Sequence, residues 1–218
     1  MLSLNIETSS NLTSVSLSQE LEIVEILNIN SERPNHCELL APLIRKLLDK
    51  GLSTFDDISE VRVNIGPGNL SSLRVGIATA NTIGSIKKIP VYGISSFLLY
   101  GFSYKGNFDS LMTLFDLKNN MFAYGKFKKI DNNIKLYEEN SKITFDELES
   151  VDFEDSVIIG TGAKKLQSLY SDRRAGLNYD SNYNIDSSSL AKVDLKEPEN
   201  HIFTRSPLMP FNSFSFVS

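Results

Sequence analysis

The segment from Val61 to Ile94 constrains the fold more than any other part of this sequence. Alternating apolar residues from Val61 to Ile65 lead into the loop Gly66-Pro67-Gly68, and this alternation predicts a strand. Ser71 to Ile86 then carries apolar residues at helical spacing, and Ile89 to Ile94 has the pattern of a second short strand. A strand, a helix and a strand in this order predict a right-handed crossover within one sheet. The chain is therefore expected to be an α/β protein.

The loop Gly66-Pro67-Gly68 allows two interpretations. Free backbone N–H groups at the start of a helix favour an anion, so the loop can cradle a phosphate. The loop matches neither the Walker A pattern nor the dinucleotide pattern G-x-G-x-x-G, and its proline removes one donor. A rigid structural turn is the alternative. Arg74, on the first turns of the helix, also allows two interpretations. It can pair with an anion, or it can satisfy nearby carbonyl and carboxylate groups.

A polar turn at the N-terminus is the second candidate site. Leu2 to Ile6 alternates as a strand, Leu12 to Leu17 continues as another, and Glu7-Thr8-Ser9 lies between them. Leu21 to Ile29 predicts a third strand. Actin-like and sugar-kinase-like folds hold metal and phosphate with a carboxylate and hydroxyls at such a turn. An ordinary polar hairpin turn is the alternative.

A wide apolar stripe predicts a helix that ends at Gly51. The stripe consists of Leu39, Leu40, Leu43, Ile44, Leu47 and Leu48. Packing on the sheet is the default explanation, and the edge of so wide a stripe can also meet a helix of a partner subunit. His36 and Cys37, at the start of this helix, are expected to be surface or interface residues.

The second half repeats the plan more weakly. Leu111 to Phe115 and Met121 to Phe127 predict paired strands, and Val157 to Ile159 predicts a buried strand. Gly160-Thr161-Gly162-Ala163 follows and leads into a predicted helix from Lys164 to Tyr170. Two lobes are therefore expected, covering residues 1–105 and 106–218. The second is expected to contain one short helix near residues 187–193 and a loosely ordered C-terminal tail.

Composition limits the functions to consider. Hydrophobic residues make up 41% of the 218 residues and charged residues 22%, which excludes wholesale disorder. One cysteine permits no internal disulfide. No signal-peptide pattern and no apolar run of membrane-spanning length occurs. A cytoplasmic protein without membrane contact is therefore expected. The formal net charge of -5 argues against an extended phosphate-binding surface, so a partner is expected to hold any nucleic acid. The two histidines, His36 and His201, lack metal-site spacing, so no metal, cofactor or catalytic residue is predicted.

Four segments in a fixed order resemble the bacterial TsaB family, also called YeaZ. They are Leu4-Asn5-Ile6-Glu7-Thr8-Ser9, His36-Cys37-Glu38-Leu39-Leu40-Ala41-Pro42-Leu43-Ile44, the segment from Gly66 to Ala78, and Ile89-Pro90-Val91-Tyr92-Gly93-Ile94-Ser95-Ser96. Family members typically read D-T-[AS], H-[SA]-x-x-L-L-P-x-I, G-P-G-S-F-T-G-L-R-I-G and P-V-x-G-V-S-S in this order. The chain departs from them at Glu7, where the family usually has Asp, and at Asn69-Leu70-Ser71-Ser72, which replaces Ser-Phe-Thr-Gly. Asp116 to Ala123 matches the family's D-A-R-x-x-E-V-Y only loosely.

The resemblance implies a two-lobed fold of the actin-like ATPase superfamily, with a ribonuclease-H-like core in each lobe and mixed sheets flanked by helices. It implies a non-catalytic subunit of the complex that makes threonylcarbamoyladenosine at position 37 of tRNAs reading codons that begin with A. The implied partners are a TsaD-like catalytic subunit, a TsaE-like ATPase and, for the chain alone, a second copy; tRNA is contacted only indirectly.

The resemblance also implies site residues. A remnant nucleotide site would comprise Glu7, Thr8, Ser9, Gly66 and Gly68. The partner interface would comprise His36, Leu39, Leu40, Leu43, Leu47, Arg74 and Ile77. An active ATP-dependent phosphotransferase or hydrolase of the same superfold is the alternative function, and an inactive peptidase-like protein is a third.

Overall fold

The computed structural model describes residues 1–33, 35–130, 133–153, 155–170, 177–195, 202–203 and 207–211. The chain divides into two compact units. The first comprises Met1–Leu99 and Ile185–Ser218, and the second comprises Tyr100–Asn184.

The first unit contains a six-stranded mixed sheet with strand order β11-β5-β4-β1-β2-β3. Its strands, numbered in chain order, are β1 (Leu2–Glu7), β2 (Leu12–Gln19), β3 (Glu22–Asn30), β4 (Ile58–Gly66), β5 (Val91–Ser95) and β11 (Ile202–Phe203). Its helices are α1 (His36–Lys50), α2 (Leu70–Lys87) and α6 (Ser188–Ala191), with a 3-10 turn at Phe55–Asp57. Helix α3 (Ser96–Ser103) begins in this unit. Strands β4 and β5 are parallel and joined by α2, so the predicted strand-helix-strand unit within one sheet is confirmed.

One face of this sheet is apolar and packs against α1 and α2. The six-residue stripe predicted for α1 lies over it, with five of its leucine and isoleucine side chains buried. The core residues supplied by the strands and α2 include Leu4, Ile6, Val15, Leu17, Val61, Val63, Leu73, Ile77 and Ala80. The alternation in β1 and β4 therefore places apolar side chains on the helix-covered face, as the pattern predicts.

The opposite face of the same sheet is polar and also buried. Its side chains include Ser3, Asn5, Glu7, Ser14, Ser16, Ser18, Glu60, Arg62 and Asn64. Helix α6, which follows the second unit in the chain, packs on this face. The Arg62 guanidinium donates to the carbonyls of Leu190, Ala191 and Val193 at 3.1–3.3 Å. These contacts explain why Ile185–Ser218 groups with the first unit, whereas the sequence predicted that residues 106–218 form the second lobe.

The second unit contains a five-stranded mixed sheet with strand order β10-β9-β6-β7-β8. Its elements are β6 (Ser110–Asp116), β7 (Met121–Ile130), β8 (Asn133–Thr144), β9 (Ser156–Ile159), β10 (Asn178–Asp180), α4 (Phe145–Leu148) and α5 (Ala163–Tyr170). Strands β6 and β7 pair antiparallel, as predicted, while β6 and β9 pair parallel. Two mixed sheets flanked by helices confirm the predicted fold class.

The chain end is described in two short stretches. The short helix expected near residues 187–193 is α6. Much of the expected loosely ordered tail lies outside the described residues. Within residues 207–211, Leu208 is buried in the first unit's core, and its backbone N–H and carbonyl both bond the Asn81 side chain, at 2.9 and 3.0 Å.

Candidate functional site

The polar turn after β1 holds a completely buried carboxyl group. One Glu7 side-chain oxygen accepts from the backbone N–H of Ser9 at 2.6 Å, and the other accepts from the Asn64 side-chain amide at 2.7 Å. Burial raises the pKa of Glu7 above its ordinary value, and the hydrogen bonds from Ser9 and Asn64 offset this only in part. The nearby Asp186 carboxylate acts to raise it further. The acceptors of this carboxyl group are thus engaged inside the protein.

Asn64 is the side chain that ties the turn to the glycine loop. Its amide nitrogen donates to Glu7, while its oxygen accepts from the backbone N–H of Gly66 at 2.8 Å and from the Ser96 hydroxyl at 2.9 Å. Asn64 lies in β4 between apolar residues and is fully buried. The sequence predictions missed it. An available signal was its position two residues before a turn glycine, because Asn side chains commonly bond the N–H two residues ahead.

The loop Gly66-Pro67-Gly68 is in direct contact with the turn. Gly66 has a φ of +97°, a conformation that glycine adopts readily. A side-chain carbon on Gly68 would lie 3.0 Å from the Ser9 carbonyl oxygen and Cβ, so no residue but glycine fits without a shift. The backbone N–H of Asn69 donates to the Ser9 carbonyl at 3.0 Å. The turn and the loop are therefore bonded to each other at the loop for which a phosphate cradle was one interpretation.

The start of α2 is closed by side chains of the same region. The Asn69 side chain caps the helix by accepting from the Ser72 backbone N–H at 3.3 Å. The Thr8 hydroxyl donates to the Ser72 carbonyl at 2.9 Å. A side-chain carbon on Gly76 would lie 2.5 Å from that hydroxyl oxygen, which explains the glycine at this position in the helix. The structure thus brings together all five residues of the predicted remnant site, Glu7, Thr8, Ser9, Gly66 and Gly68.

Most residues of the predicted partner interface face the interior of the first unit. The buried ones are His36, Leu40, Leu43, Leu47 and Ile77. Leu39 is half-buried and Arg74 is exposed. Because the apolar stripe of α1 and the apolar face of α2 cover the sheet, the surface these helices offer to a partner consists mainly of other residues.

His36 ties the start of α1 to the N-terminal turn. Its Nε2 lies 3.2 Å from the Ser10 carbonyl, and its Nδ1 lies 2.8 Å from the Thr13 hydroxyl. Because a carbonyl only accepts, we assign the proton to Nε2, and Nδ1 then accepts from Thr13. Burial lowers the pKa of the imidazole, and the Ser10 bond offsets part of that effect. His36 is therefore a structural link rather than the surface or interface residue that the sequence predicted, while Cys37 beside it is exposed.

The exposed side of α2 forms a continuous strip of small or uncharged side chains with one positive charge. We define the open face of α2 as Ser71, Arg74, Ala78, Thr82 and Ser85, all exposed and spaced three or four residues apart. Ile86, at its C-terminal end, is 69% exposed. A shallow hollow of about 410 Å³ lies at that end, lined by Asn81, Thr82, Ser85, Ile86 and Pro207. This face is available for contact with another helix.

The second unit has a turn of the same plan with different chemistry. Asp116 ends β6, and one of its oxygens accepts from the Lys165 ammonium at 2.9 Å and from the Lys118 backbone N–H at 2.9 Å. Burial acts to raise the pKa of Asp116, but the bonds and charges of these lysines outweigh it and hold the pKa below its ordinary value. The backbone N–H of Asp116 donates to the Thr161 hydroxyl at 3.2 Å.

Metal-ligating side chains do not gather in the part of the chain that the structure describes. Within it, no group of three or more His, Cys, Asp or Glu side chains is placed to hold an ion. His201, the second histidine considered as a ligand, lies outside that part. Among the described helices, none has the length and apolar composition needed to span a membrane.

The fold and the joined turn define the class of protein, a two-unit α/β protein with one mixed sheet in each unit. The YeaZ protein of Pseudomonas aeruginosa superposes with a TM-score of 0.71 over 87% of this chain and 88% of that one, at 18% identity, which shows a shared fold. The family model for TsaD, tRNA N6-adenosine threonylcarbamoyltransferase, matches residues 29–193, more than half of the chain. The chain belongs to this family. It is also similar to proteins named TsaB and YeaZ, as the sequence predicted.

Two curated relatives show how far the sequence similarity extends. The tRNA threonylcarbamoyladenosine biosynthesis protein TsaB of Buchnera aphidicola subsp. Schizaphis graminum is 30% identical over 93 residues, which is 43% of each chain. A tRNA N6-adenosine threonylcarbamoyltransferase of Trichlorobacter lovleyi is 36% identical over 70 residues, 31% of this chain and 20% of that one. The matched segment spans less than half the length of each of these relatives.

Proposed function

We propose that this chain is a non-catalytic subunit of the machinery that makes threonylcarbamoyladenosine at position 37 of tRNAs reading codons that begin with A, and that it binds and supports a TsaD-like catalytic subunit. The observation that carries the proposal is the open face of α2. Membership of the TsaD family and the similarity to a TsaB protein of threonylcarbamoyladenosine biosynthesis support the same function.

The open face of α2 suits a close contact between helices. Its small side chains at Ala78, Thr82 and Ser85 let a second helix approach, because helices pack through ridges and grooves made by residues three and four apart. Arg74 is the only charge on the face and supplies one site for a partner carboxylate. Ile86 adds exposed apolar area that a partner would remove from water.

A partner of the same family is favoured because both subunits would then present corresponding helices. The relatives of this chain carry both TsaB and transferase names, so a contact between two homologous folds fits the proposal. The same face on two copies would form an isologous contact, which supports a homodimer when the chain is alone. A TsaE-like ATPase would join the complex.

Two observations support a non-catalytic role with indirect tRNA contact. The Glu7 carboxyl group, the Thr8 hydroxyl and the Ser9 backbone N–H are bonded within the chain, which gives less support to an ATP-dependent phosphotransferase or hydrolase. The net charge of -5 supports a partner as the subunit that holds tRNA. The proposed function takes place in the cytoplasm.

Binding to the TsaD-like subunit of the same organism tests the proposal. We expect the purified proteins to form a complex in calorimetry, and Ala78→Arg to weaken it by at least about tenfold, because a long charged side chain would hold the helices apart. Ser150→Arg is the matched control, since it adds the same side chain at an exposed position of the second unit. Failure of the wild-type chain to bind, or equal binding by Ala78→Arg, would exclude this mechanism.

The exposed thiol of Cys37 gives a second readout. It is the single cysteine of the chain and lies on the first turn of α1. Its alkylation rate, measured with and without the TsaD-like subunit, reports whether the start of α1 joins the interface. Leu43→Asp is unsuitable as a test of the interface, because Leu43 is buried and a charge there would unfold the first unit.

A further inference from the structure

The carboxyl group of Glu7 takes the place that a small bound oxyacid would take. Its two oxygens each meet a donor, the Ser9 backbone N–H at 2.6 Å and the Asn64 amide at 2.7 Å. Both donors are fixed independently of Glu7, because Ser9 is bonded to Asn69 through its carbonyl and Asn64 is bonded to Gly66 and Ser96. The two donors thus form a preorganised pair facing one buried volume.

We propose that Glu7 is an internal ligand that closes a two-donor site for small carboxylic acids, and that shortening this side chain to alanine opens the site to acetate. The atoms lost in Glu7→Ala are one methylene and a carboxyl group, which have the heavy-atom content of acetate. The vacated space therefore matches acetate in size, and the two donors match its two oxygens. A buried donor without an acceptor is unfavourable, which provides the free energy for binding.

The surrounding contacts exclude larger ligands from the opened site. The loop and the turn remain joined by the bond from Asn69 to Ser9, and Gly68 stays within close contact of Ser9. The Thr8 hydroxyl stays bonded to the Ser72 carbonyl at 2.9 Å. These contacts do not involve the Glu7 carboxyl, so its removal leaves no channel wide enough for a nucleotide. Formate would fill the site incompletely, and propionate would exceed it by one methyl group.

Acetate binding by Glu7→Ala does not depend on partner binding, and it is the opposite of what the phosphotransferase alternative predicts for this variant. If Glu7 bound ATP, Glu7→Ala would lose ATP binding. If Glu7 fills the site as an internal ligand, Glu7→Ala instead gains acetate binding. The sign of the change therefore separates the two, whatever the result with the TsaD-like subunit.

Thermal unfolding in sodium acetate or sodium chloride at equal ionic strength tests the proposal. We expect the Tm of Glu7→Ala to rise by about 2–4 °C at an acetate concentration about five times the Kd, with a smaller rise in formate and none in propionate. The wild-type chain and Glu7→Gln should show no acetate-specific rise, because their site is filled. Leu73→Ala is the matched cavity control, since Leu73 packs beside Gly66 and its removal opens an apolar space without donors.

The proposal would be overturned if the Tm of Glu7→Ala showed no acetate-specific rise, or if the Tm of Leu73→Ala rose equally. A rise in the Tm of Glu7→Ala with ATP and Mg²⁺ would contradict the size limit proposed for the opened site. If Glu7→Ala does not fold in chloride, its refolding yield from urea is compared in the two salts. A higher yield in acetate supports the proposal, and equal yields contradict it.

Discussion

Two turns of the same local plan occur in the two units and have opposite environments. Each follows the first strand of its sheet, and each lies beside a glycine loop that leads into a helix. Glu7 in the first unit is fully buried and bonded to neutral donors, the Ser9 N–H and the Asn64 amide. Asp116 in the second unit is bonded to the Lys165 ammonium, and the Lys118 ammonium lies 3.5 Å away. One carboxyl group is a buried structural part, and the other belongs to a cluster of charges.

This difference shows that two turns of similar local geometry can have different chemistry. Neutral donors can satisfy a carboxyl group without lowering its pKa below the ordinary value, since burial opposes ionisation. Cationic partners can lower the pKa even when burial acts in the other direction. We therefore expect the two carboxyl groups to respond differently to removal, to pH and to salt.

The largest expected difference is in the cost of removing each carboxyl group. Glu7→Ala leaves two buried donors without an acceptor and should lower the free energy of unfolding by about 2–4 kcal/mol in chloride buffer. Asp116→Ala removes bonds at a partly exposed turn and should cost only about 1 kcal/mol. Urea unfolding of both variants beside the wild-type chain measures the two values. Equal costs would mean that burial does not distinguish the turns.

A smaller difference is expected for the side chains that support each turn. Asn64→Ala removes bonds to Glu7, Gly66 and Ser96, and we expect a loss of about 2–3 kcal/mol of unfolding free energy. Thr161→Ala removes one acceptor for the Asp116 N–H and should cost about 0.5–1 kcal/mol. The same urea series checks both. An Asn64→Ala variant as stable as Thr161→Ala would show that Asn64 does not hold the turn and loop together.

The sequence predicted much of the fold because local periodicity records which face of an element meets the core. The stripe from Leu39 to Leu48 and the alternation from Val61 to Ile65 correspond to α1 and β4. Strand β8 was missed, since its residues are mostly polar and it lies at the edge of its sheet. The end of the chain was assigned to the wrong neighbours because the contact between Arg62 and the 190–193 segment is long-range and leaves no periodic signal.

Five residues of the candidate site were predicted together, but Asn64 and the bonding of the site were not. The resemblance placed Glu7 and Gly66 in one site, and in the structure both bond the Asn64 side chain. Alternation in β1 and β4 places Asn5 and Asn64 on the face of the sheet opposite the apolar residues. Both are buried because α6 packs over that face. A pattern of alternating residues shows which side chains share a face, but it cannot show that a distant segment covers the polar one.

The pH dependence of stability should differ in sign between the turns. The raised pKa of Glu7 favours its protonated form in the folded state, so its contribution is present below the ordinary value of 4.5 and is lost as pH rises through the folded-state pKa. The lowered pKa of Asp116 gives a contribution that is present above its ordinary value of 3.8 and is lost as pH falls through the folded-state pKa.

Unfolding free energies of wild type, Glu7→Gln and Asp116→Asn across this pH range check these signs. Relative to wild type, Glu7→Gln should gain stability as pH rises from mildly acidic to neutral. Asp116→Asn should be less stable than wild type at neutral pH and approach it in acid. Parallel pH profiles for the two variants would contradict the assigned environments.

The smallest expected effect is the response to salt. The Lys165 ammonium and the Asp116 carboxylate are 2.9 Å apart with 27% and 15% of their side-chain surface exposed, so the pair should contribute about 1 kcal/mol or less at low ionic strength. Screening by salt should reduce this contribution, so the stability gap between wild type and Lys165→Met should narrow as sodium chloride is added. The gap between wild type and Glu7→Gln should change less, because the groups that bond Glu7 are neutral and buried. A gap for Glu7→Gln that narrows as much as that for Lys165→Met would show that the first turn also depends on an exposed charge, and the contrast between the turns would then be one of burial alone.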